Sequence, residues 1–187
     1  KVLDTFKHER LSRADKVSGE LSVTWLPTMY KKIRFGTHEN VGWGEIHLPE
    51  TTMHTTGYWI EFPENAGEEA GLGEKALGES LHALANTLRQ VAPVQVLCDL
   101  TDIRAHAMVR APFSGRPAVY LYEGYPGGVG ISDKLFTHHD RLLDAAISLL
   151  AECSCKEGCP SCVGTALEVG RHGKRGALKL AHLARGE

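Results

Sequence analysis

The chain has 187 residues, of which 42% are hydrophobic and 24% charged, with a formal net charge of −2 and ten histidines. That length can bury a sizeable core, and the composition is that of an ordinary globular protein. The charge balance excludes a global electrostatic pull on nucleic acid, so any such binding must use local patches. No apolar run approaches the length of a membrane span, and Lys1-Val2-Leu3-Asp4 is not a signal peptide. The chain begins without Met inside a charged stretch, as an excised fragment would.

From Lys1 to about Pro63 the pattern is strand-like. Glu20–Leu26 and Tyr30–Phe35 alternate apolar and polar residues, and Trp43–Leu48 and Thr55–Phe62 give two further strands. Turn signals at Ser18-Gly19, Pro27, Gly36, Gly42 and Pro49 separate them, which predicts a small antiparallel sheet after a short segment at Leu3–Leu11. Lys31, Lys32 and Arg34 form a basic spot that reads first as a solvated strand face, with phosphate contact as the sharper alternative. Asn65–Gly73, acidic and glycine-rich, reads as a loop or hinge.

Leu77–Val91 predicts an amphipathic helix with Leu77, Leu81, Leu84, Ala85 and Leu88 on one face. His82 and Asn86 lie at its polar edge. Pro93 ends the predicted helix, and Val94–Cys98 follows as a buried strand closed by Asp99 and Asp102. Pro117–Tyr122 is a second apolar strand running into Glu123-Gly124-Tyr125-Pro126-Gly127-Gly128-Val129-Gly130, a shaped turn. A helix over His139–Ala151 leads to the cysteines, and a last short helix spans Ala177–Ala184. The fold class is α+β: a β-rich segment over residues 1–63, then a mixed α/β part over 64–187 with the cysteine loop between its C-terminal helices.

Four of the five cysteines fall within ten residues, Cys153-Ser154-Cys155-Lys156-Glu157-Gly158-Cys159-Pro160-Ser161-Cys162. A tetrahedral ion needs four ligands converging on one point, and thiolates are what structural zinc prefers. Gly158 and Pro160 supply the turn chemistry that folds so short a loop. Zinc on Cys153, Cys155, Cys159 and Cys162 is the favoured reading. A Cys159–Cys162 redox pair, an iron–sulfur cluster and two disulfides are the alternatives. Thiols clustered for a metal fit a reducing compartment, hence the cytoplasm or nucleoid.

A second constellation is acidic. Asp99, Asp102 and Glu123 at strand ends would suit a metal-dependent nuclease, whereas the bland reading is that they cap turns and pair with arginines. No G-x-x-x-x-G-K-[ST] phosphate loop or G-x-S-x-G elbow is present, so these residues hold no ATPase motif and no catalytic residues are assigned.

With the C-x-C-x₃-C-P-x-C loop, the Tyr125–Gly130 turn, the Ser80–Leu84 helix and the Leu48–Trp59 segment in view, the chain resembles the C-terminal zinc-binding module, MZB, of MrfA-type DEAD/DEAH-box DNA helicases. The resemblance covers about residues 15–187. It implies the accessory region of a superfamily-2 helicase that unwinds DNA with 3′→5′ polarity in DNA repair, with the four cysteines as ligands of a structural zinc. ATP and Mg would bind only in motor lobes of the same polypeptide outside these residues. The partners implied are those lobes and single-stranded DNA, with no membrane. Arg171, Lys174 and Arg175, just after the loop, are the candidate DNA contacts. The competing reading is a stand-alone zinc-dependent protein-interaction scaffold. One departure stands out: Gly170–Leu178 replaces the family's asparagine followed by a Leu-Asp-Lys helix start.

Overall fold

The computed structural model describes residues 1–165, 169–170 and 173–186. Its strands are β1 (Val2–Arg10), β2 (Asp15–Trp25), β3 (Met29–Ile33), β4 (Asn40–Glu45), β5 (Thr51–Glu61), β6 (Ile103–Met108) and β7 (Ala118–Glu123). Its helices are α1 (Ala66–Ala70), α2 (Glu74–Val96), α3 (Ile131–Thr137), α4 (His139–Glu152) and α5 (Gly173–Arg185). Five strands form one antiparallel sheet in the order β1-β2-β5-β7-β6, and β3 and β4 form a separate hairpin. The architecture is α+β.

Period-two alternation divides the sheet into two faces. Tyr58, Ile60 and Phe62, with Val119 and Leu121 of β7 and Ile103 and Ala107 of β6, point into the main core. There they meet Leu81, Leu84 and Leu88 of α2, Leu142 and Leu143 of α4, and Leu180 and Leu183 of α5. The alternate residues Val17, Leu21, Trp59, Ala118 and Tyr120 form a smaller cluster on the opposite face, which includes no helix residue among the described residues. Because β5 pairs with β7, one sheet runs across the 63/64 boundary expected from sequence.

Several elements differ from expectation. Leu3–Leu11 is not an uncertain preamble but most of edge strand β1, paired with β2 through two register shifts. Asn65–Gly73 contains the short helix α1, closed by Gly71 in the left-handed region at φ 62°. Pro93 does not end α2, which runs to Val96. A proline so near a helix end withdraws only the one N–H that would bond the Arg89 carbonyl, and Pro93's own carbonyl accepts from the Leu97 and Cys98 N–H groups. Val94–Cys98 is therefore a helix terminus and its cap, with Val94 and Leu97 exposed rather than buried in a strand.

Strand β6 was not expected from sequence. Ile103-Arg104-Ala105-His106-Ala107-Met108 has little intrinsic strand preference, and its extended form is set by pairing with β7. The run Ile131–Thr137 forms α3, also unforeseen.

Candidate metal centre

Helix α4 ends at Cys153, whose N–H still reaches the Leu149 carbonyl, and the loop then turns back on itself. The Cys162 and Val163 N–H groups both donate to the Cys159 carbonyl at 3.0 Å. Gly158 adopts φ 122°, and a Cβ there would lie 2.5 Å from Val163 Cγ2, so the turn admits only glycine. The expected turn role of Gly158 is thus realised.

The result is convergence. All four Sγ atoms lie within 4.8 Å of one another. The separations Cys153–Cys155, Cys153–Cys159, Cys155–Cys162 and Cys159–Cys162 are 3.4, 3.7, 3.5 and 3.6 Å. A zinc–sulfur bond of about 2.3 Å in a regular tetrahedron sets its sulfurs about 3.8 Å apart, so one ion fits with small adjustment. Disulfides would need sulfurs about 2 Å apart, and all five cysteines are free. A multi-iron cluster spreads four thiolates over two or four irons, so sulfurs on different irons would lie further apart than they do around one shared ion. Among the described residues no other group of three or more His, Cys, Asp or Glu side chains converges in this way, and Cys98 stands outside the cluster.

The four thiols are not equivalent. Burial pushes Cys162 up to about 12, while hydrogen bonds from Cys162, the Ser161 backbone and Cys153 bring Cys159 down to about 7. A dication on all four sulfurs would therefore have to displace the proton that burial holds on Cys162.

Three side chains distant in sequence fix the loop. Thr87 Oγ1 and Asn86 Nδ2, both on α2, donate to the carbonyls of Cys162 (2.8 Å) and Val163 (3.1 Å). Lys174 Nζ, on the first turn of α5, donates to the carbonyls of Cys153 (2.7 Å) and Cys155 (2.6 Å). The expectation placed Lys174 on DNA, but its ammonium faces the cysteine loop. Arg175 is exposed on the same turn, and Arg171 lies outside the described residues. The sequence marks Asn86 only as a polar neighbour of His82 and gives no sign of a role for Thr87. The one signal available was that both polar residues follow Leu84 and Ala85 on a face that must be buried.

The departure at Gly170–Leu178 explains how α5 docks. A Cβ on Gly176 would sit 1.8 Å from Ser80 Oγ, and one on Gly173 would sit 3.2 Å from Ala83 Cβ. The two glycines let α5 approach the backbone of α2 along the face that also carries Thr87.

The acidic residues Asp99, Asp102 and Glu123 serve the loops that carry them. Glu123 is fully buried, and its carboxylate accepts hydrogen bonds from Thr56 Oγ1, the Val129 N–H and the Ser132 N–H. Although burial opposes ionisation, those donors hold its pKa below the ordinary glutamate value. Asp99 closes a turn by accepting from the Thr101 N–H and hydroxyl, and Asp102 accepts from the Asp99 N–H and from Tyr125 Oη. These carboxylates are engaged by loop architecture, and among the described residues they do not converge as a metal-binding group. Glu123 in particular organises the glycine turn, where Gly128 at φ 72° lies so close to Thr56 that a Cβ would fall 2.1 Å from its Oγ1.

Comparison with known proteins places this geometry. Residues 84–163 match the family model of the MrfA Zn-binding domain, MZB. The ATP-dependent helicase YprA of Bacillus subtilis is 39% identical over 168 residues, which is 90% of this chain and 22% of that protein. The crystal structure of the DUF1998 helicase MrfA bound to DNA superposes with a TM-score of 0.77 at 38% identity, covering 98% of this chain and 24% of that one. A further crystal structure of the DUF1998 helicase MrfA gives a TM-score of 0.68 at 33% identity, over 96% of this chain and 23% of that one. The chain thus spans about a quarter or less of these relatives. Residues 84–163, which hold all four clustered cysteines, thus carry the sequence pattern of the MrfA zinc-binding domain.

Proposed function

We propose that this chain is the zinc-binding accessory region of an ATP-dependent superfamily-2 DNA helicase, and that Cys153, Cys155, Cys159 and Cys162 are the ligands of one structural zinc. The observation that carries the reading is the convergence of four sulfurs within 4.8 Å in a chain 39% identical to an ATP-dependent helicase. Four thiolates fill a tetrahedral shell and leave no open position for water, so the ion would stabilise rather than catalyse. Its apparent binding free energy, about 10–16 kcal/mol in small zinc modules, is comparable to the net stability of a whole domain.

The loop then ties the end of α4 to α2 through Thr87 and Asn86, and to α5 through Lys174. That makes a rigid platform beside motor lobes that bind ATP and Mg elsewhere in the same polypeptide. The parent enzyme unwinds DNA with 3′→5′ polarity in DNA repair, and Arg175 with Arg171 contacts the phosphates of single-stranded DNA. The cytoplasmic nucleoid is where such an enzyme would act.

The test uses the parent polypeptide, wild type and Cys155→Ser/Cys159→Ser. The expected result is one equivalent of zinc without visible absorbance, and ATP-dependent unwinding of 3′-tailed in preference to 5′-tailed duplexes. Both zinc and unwinding are lost in the variant. Iron in place of zinc would overturn the metal assignment, and zinc-loaded protein without ATP-dependent unwinding would overturn the helicase assignment.

A further inference from the structure

We infer that the β3–β4 hairpin is a single-stranded nucleic-acid contact, built from aromatic rings paired with lysines. This rests on the proposed helicase reading and names a surface that the metal centre does not include.

The hairpin extends the β2–β5 ladder beyond Trp25 and Thr51 but pairs only with itself. All five residues of β3 are exposed, as are Val41 and Trp43 of β4, and Phe35 beyond β3 is fully exposed. An isolated two-stranded hairpin is marginal in water, and one that presents several large apolar side chains is accounted for by an occupant that covers them.

The chemistry of the surface selects the occupant. On one face Lys31 lies opposite Trp43 in register, with its ammonium 5.8 Å from the indole centroid. On the other face Lys32 stands 5.8 Å from the Tyr30 ring. Gly44 and Gly42 lie opposite Tyr30 and Lys32, and a Cβ on Gly44 would fall 2.5 Å from the Tyr30 ring. The glycines therefore let the ring lie down across β4, where Tyr30 remains exposed. A flat ring beside a cation is what a nucleotide uses, its base stacking on the ring and its phosphate meeting the ammonium.

A protein groove would have to desolvate Lys31 and Lys32 to cover the same rings, which is costly without carboxylate partners. Local charge agrees. Residues 29–45 hold Lys31, Lys32 and Arg34 against Glu39 and Glu45, a net +1 in a chain of net −2. Glu39 is already engaged by Arg34 at 3.5 Å. The surface also continues past the hairpin root. Trp25, Tyr122, Phe113 and Arg104 line an open cavity of about 850 Å³ on the face of the sheet opposite the main core.

The test is a titration of the zinc-loaded 187-residue chain with a 20-nucleotide oligothymidylate, read by tryptophan fluorescence. Trp59 is buried, so Trp43 and Trp25 are the indoles able to stack. Wild type is expected to bind with quenching, most of which disappears in Trp43→Phe. Tyr30→Ala/Trp43→Ala should weaken binding by roughly 10- to 100-fold. Lys31→Gln/Lys32→Gln should reduce the slope of log affinity against log salt by about 1.4, the value for two phosphate contacts on a single strand. Melting temperatures should stay at the wild-type value, because the hairpin lies outside the core. Hairpin variants that bind with wild-type affinity and slope would overturn this inference and leave the helicase reading standing. Variants that leave oligothymidylate binding intact but dissolve a dimer seen by sedimentation would assign the surface to a second copy of the chain. A wild-type chain that does not bind the probe would overturn the hairpin contact and the DNA-contacting role together.

Discussion

Lys174→Met would test whether the first turn of α5 holds the metal loop. The ammonium donates to two carbonyls, those of Cys153 at 2.7 Å and Cys155 at 2.6 Å. A hydrogen bond from a charged group contributes about 1.5–3 kcal/mol net. Cys153 and Cys155 are half-buried, so their carbonyls regain water when the lysine is gone, and the lower value applies to each. The sum is about 3 kcal/mol, which in a domain of this size lowers the melting temperature by about 6–12 °C. A zinc on four thiolates carries a formal −2, so losing the adjacent cation should also weaken metal retention, by about 10- to 100-fold in competition with a chelator. Melting by circular dichroism and zinc transfer to a chromogenic chelator read the two effects. The control is Arg175→Met, exposed on the same turn, which should change stability by no more than about 0.5 kcal/mol. A Lys174→Met protein that melts within 2 °C of wild type and keeps its zinc equally well would refute the clamp (about 0.5–1 kcal/mol at most).

Two further outcomes follow from buried contacts. Gly176→Ala should push α5 away from α2, because the new Cβ falls 1.8 Å from Ser80 Oγ and 2.6 Å from Ser80 Cβ; urea unfolding should show a loss of about 1–3 kcal/mol, partly restored by adding Ser80→Gly. His139 is buried with Tyr58 Oη 2.6 Å from its Nδ1, and burial lowers its pKa to about 4. The unfolded chain binds a proton at this residue near pH 6.5 and the folded chain does not, so stability falls as pH drops from about 6.5 toward 4, by up to about 3 kcal/mol. Replacing both partners, Tyr58→Phe/His139→Leu, should flatten that part of the pH–stability curve; an unchanged acid slope would refute the assignment.

What could be read in the sequence was local. Four cysteines within ten residues carry their own geometry, since a loop that short can place them nowhere but together. Leu77, Leu81, Leu84 and Leu88 mark the buried face of α2 by spacing alone, and all four are buried. What could not be read was imposed from a distance. Lys174 reaches carbonyls 19 and 21 residues away, and nothing in Gly173-Lys174-Arg175 distinguishes a clamp from a phosphate contact. The strand at Ile103–Met108 exists because β7 offers it a ladder, and Val94–Cys98 looks like a strand because a short apolar run has no period of its own. Glu123, an acid at a strand end, offers the sequence no sign of which groups it meets. Its carboxylate is aimed at donors, and those donors proved to be the chain's own N–H groups.

The pairing of β5 with β7 has a consequence for where this chain can be cut. Residues 84–163 contain every clustered cysteine, yet a fragment with those ends would start inside α2 and leave out Ser80 and Leu81. It would keep β6 and β7 and discard β5, so that Ala118–Tyr122 would lose its β5 ladder and present one unpaired, strongly apolar margin to other copies. It would also discard α5, and with it Lys174. The boundaries of the shared sequence pattern and of the autonomous folding unit therefore differ: the unit that folds by itself needs strands made long before the cysteines and a helix made after them.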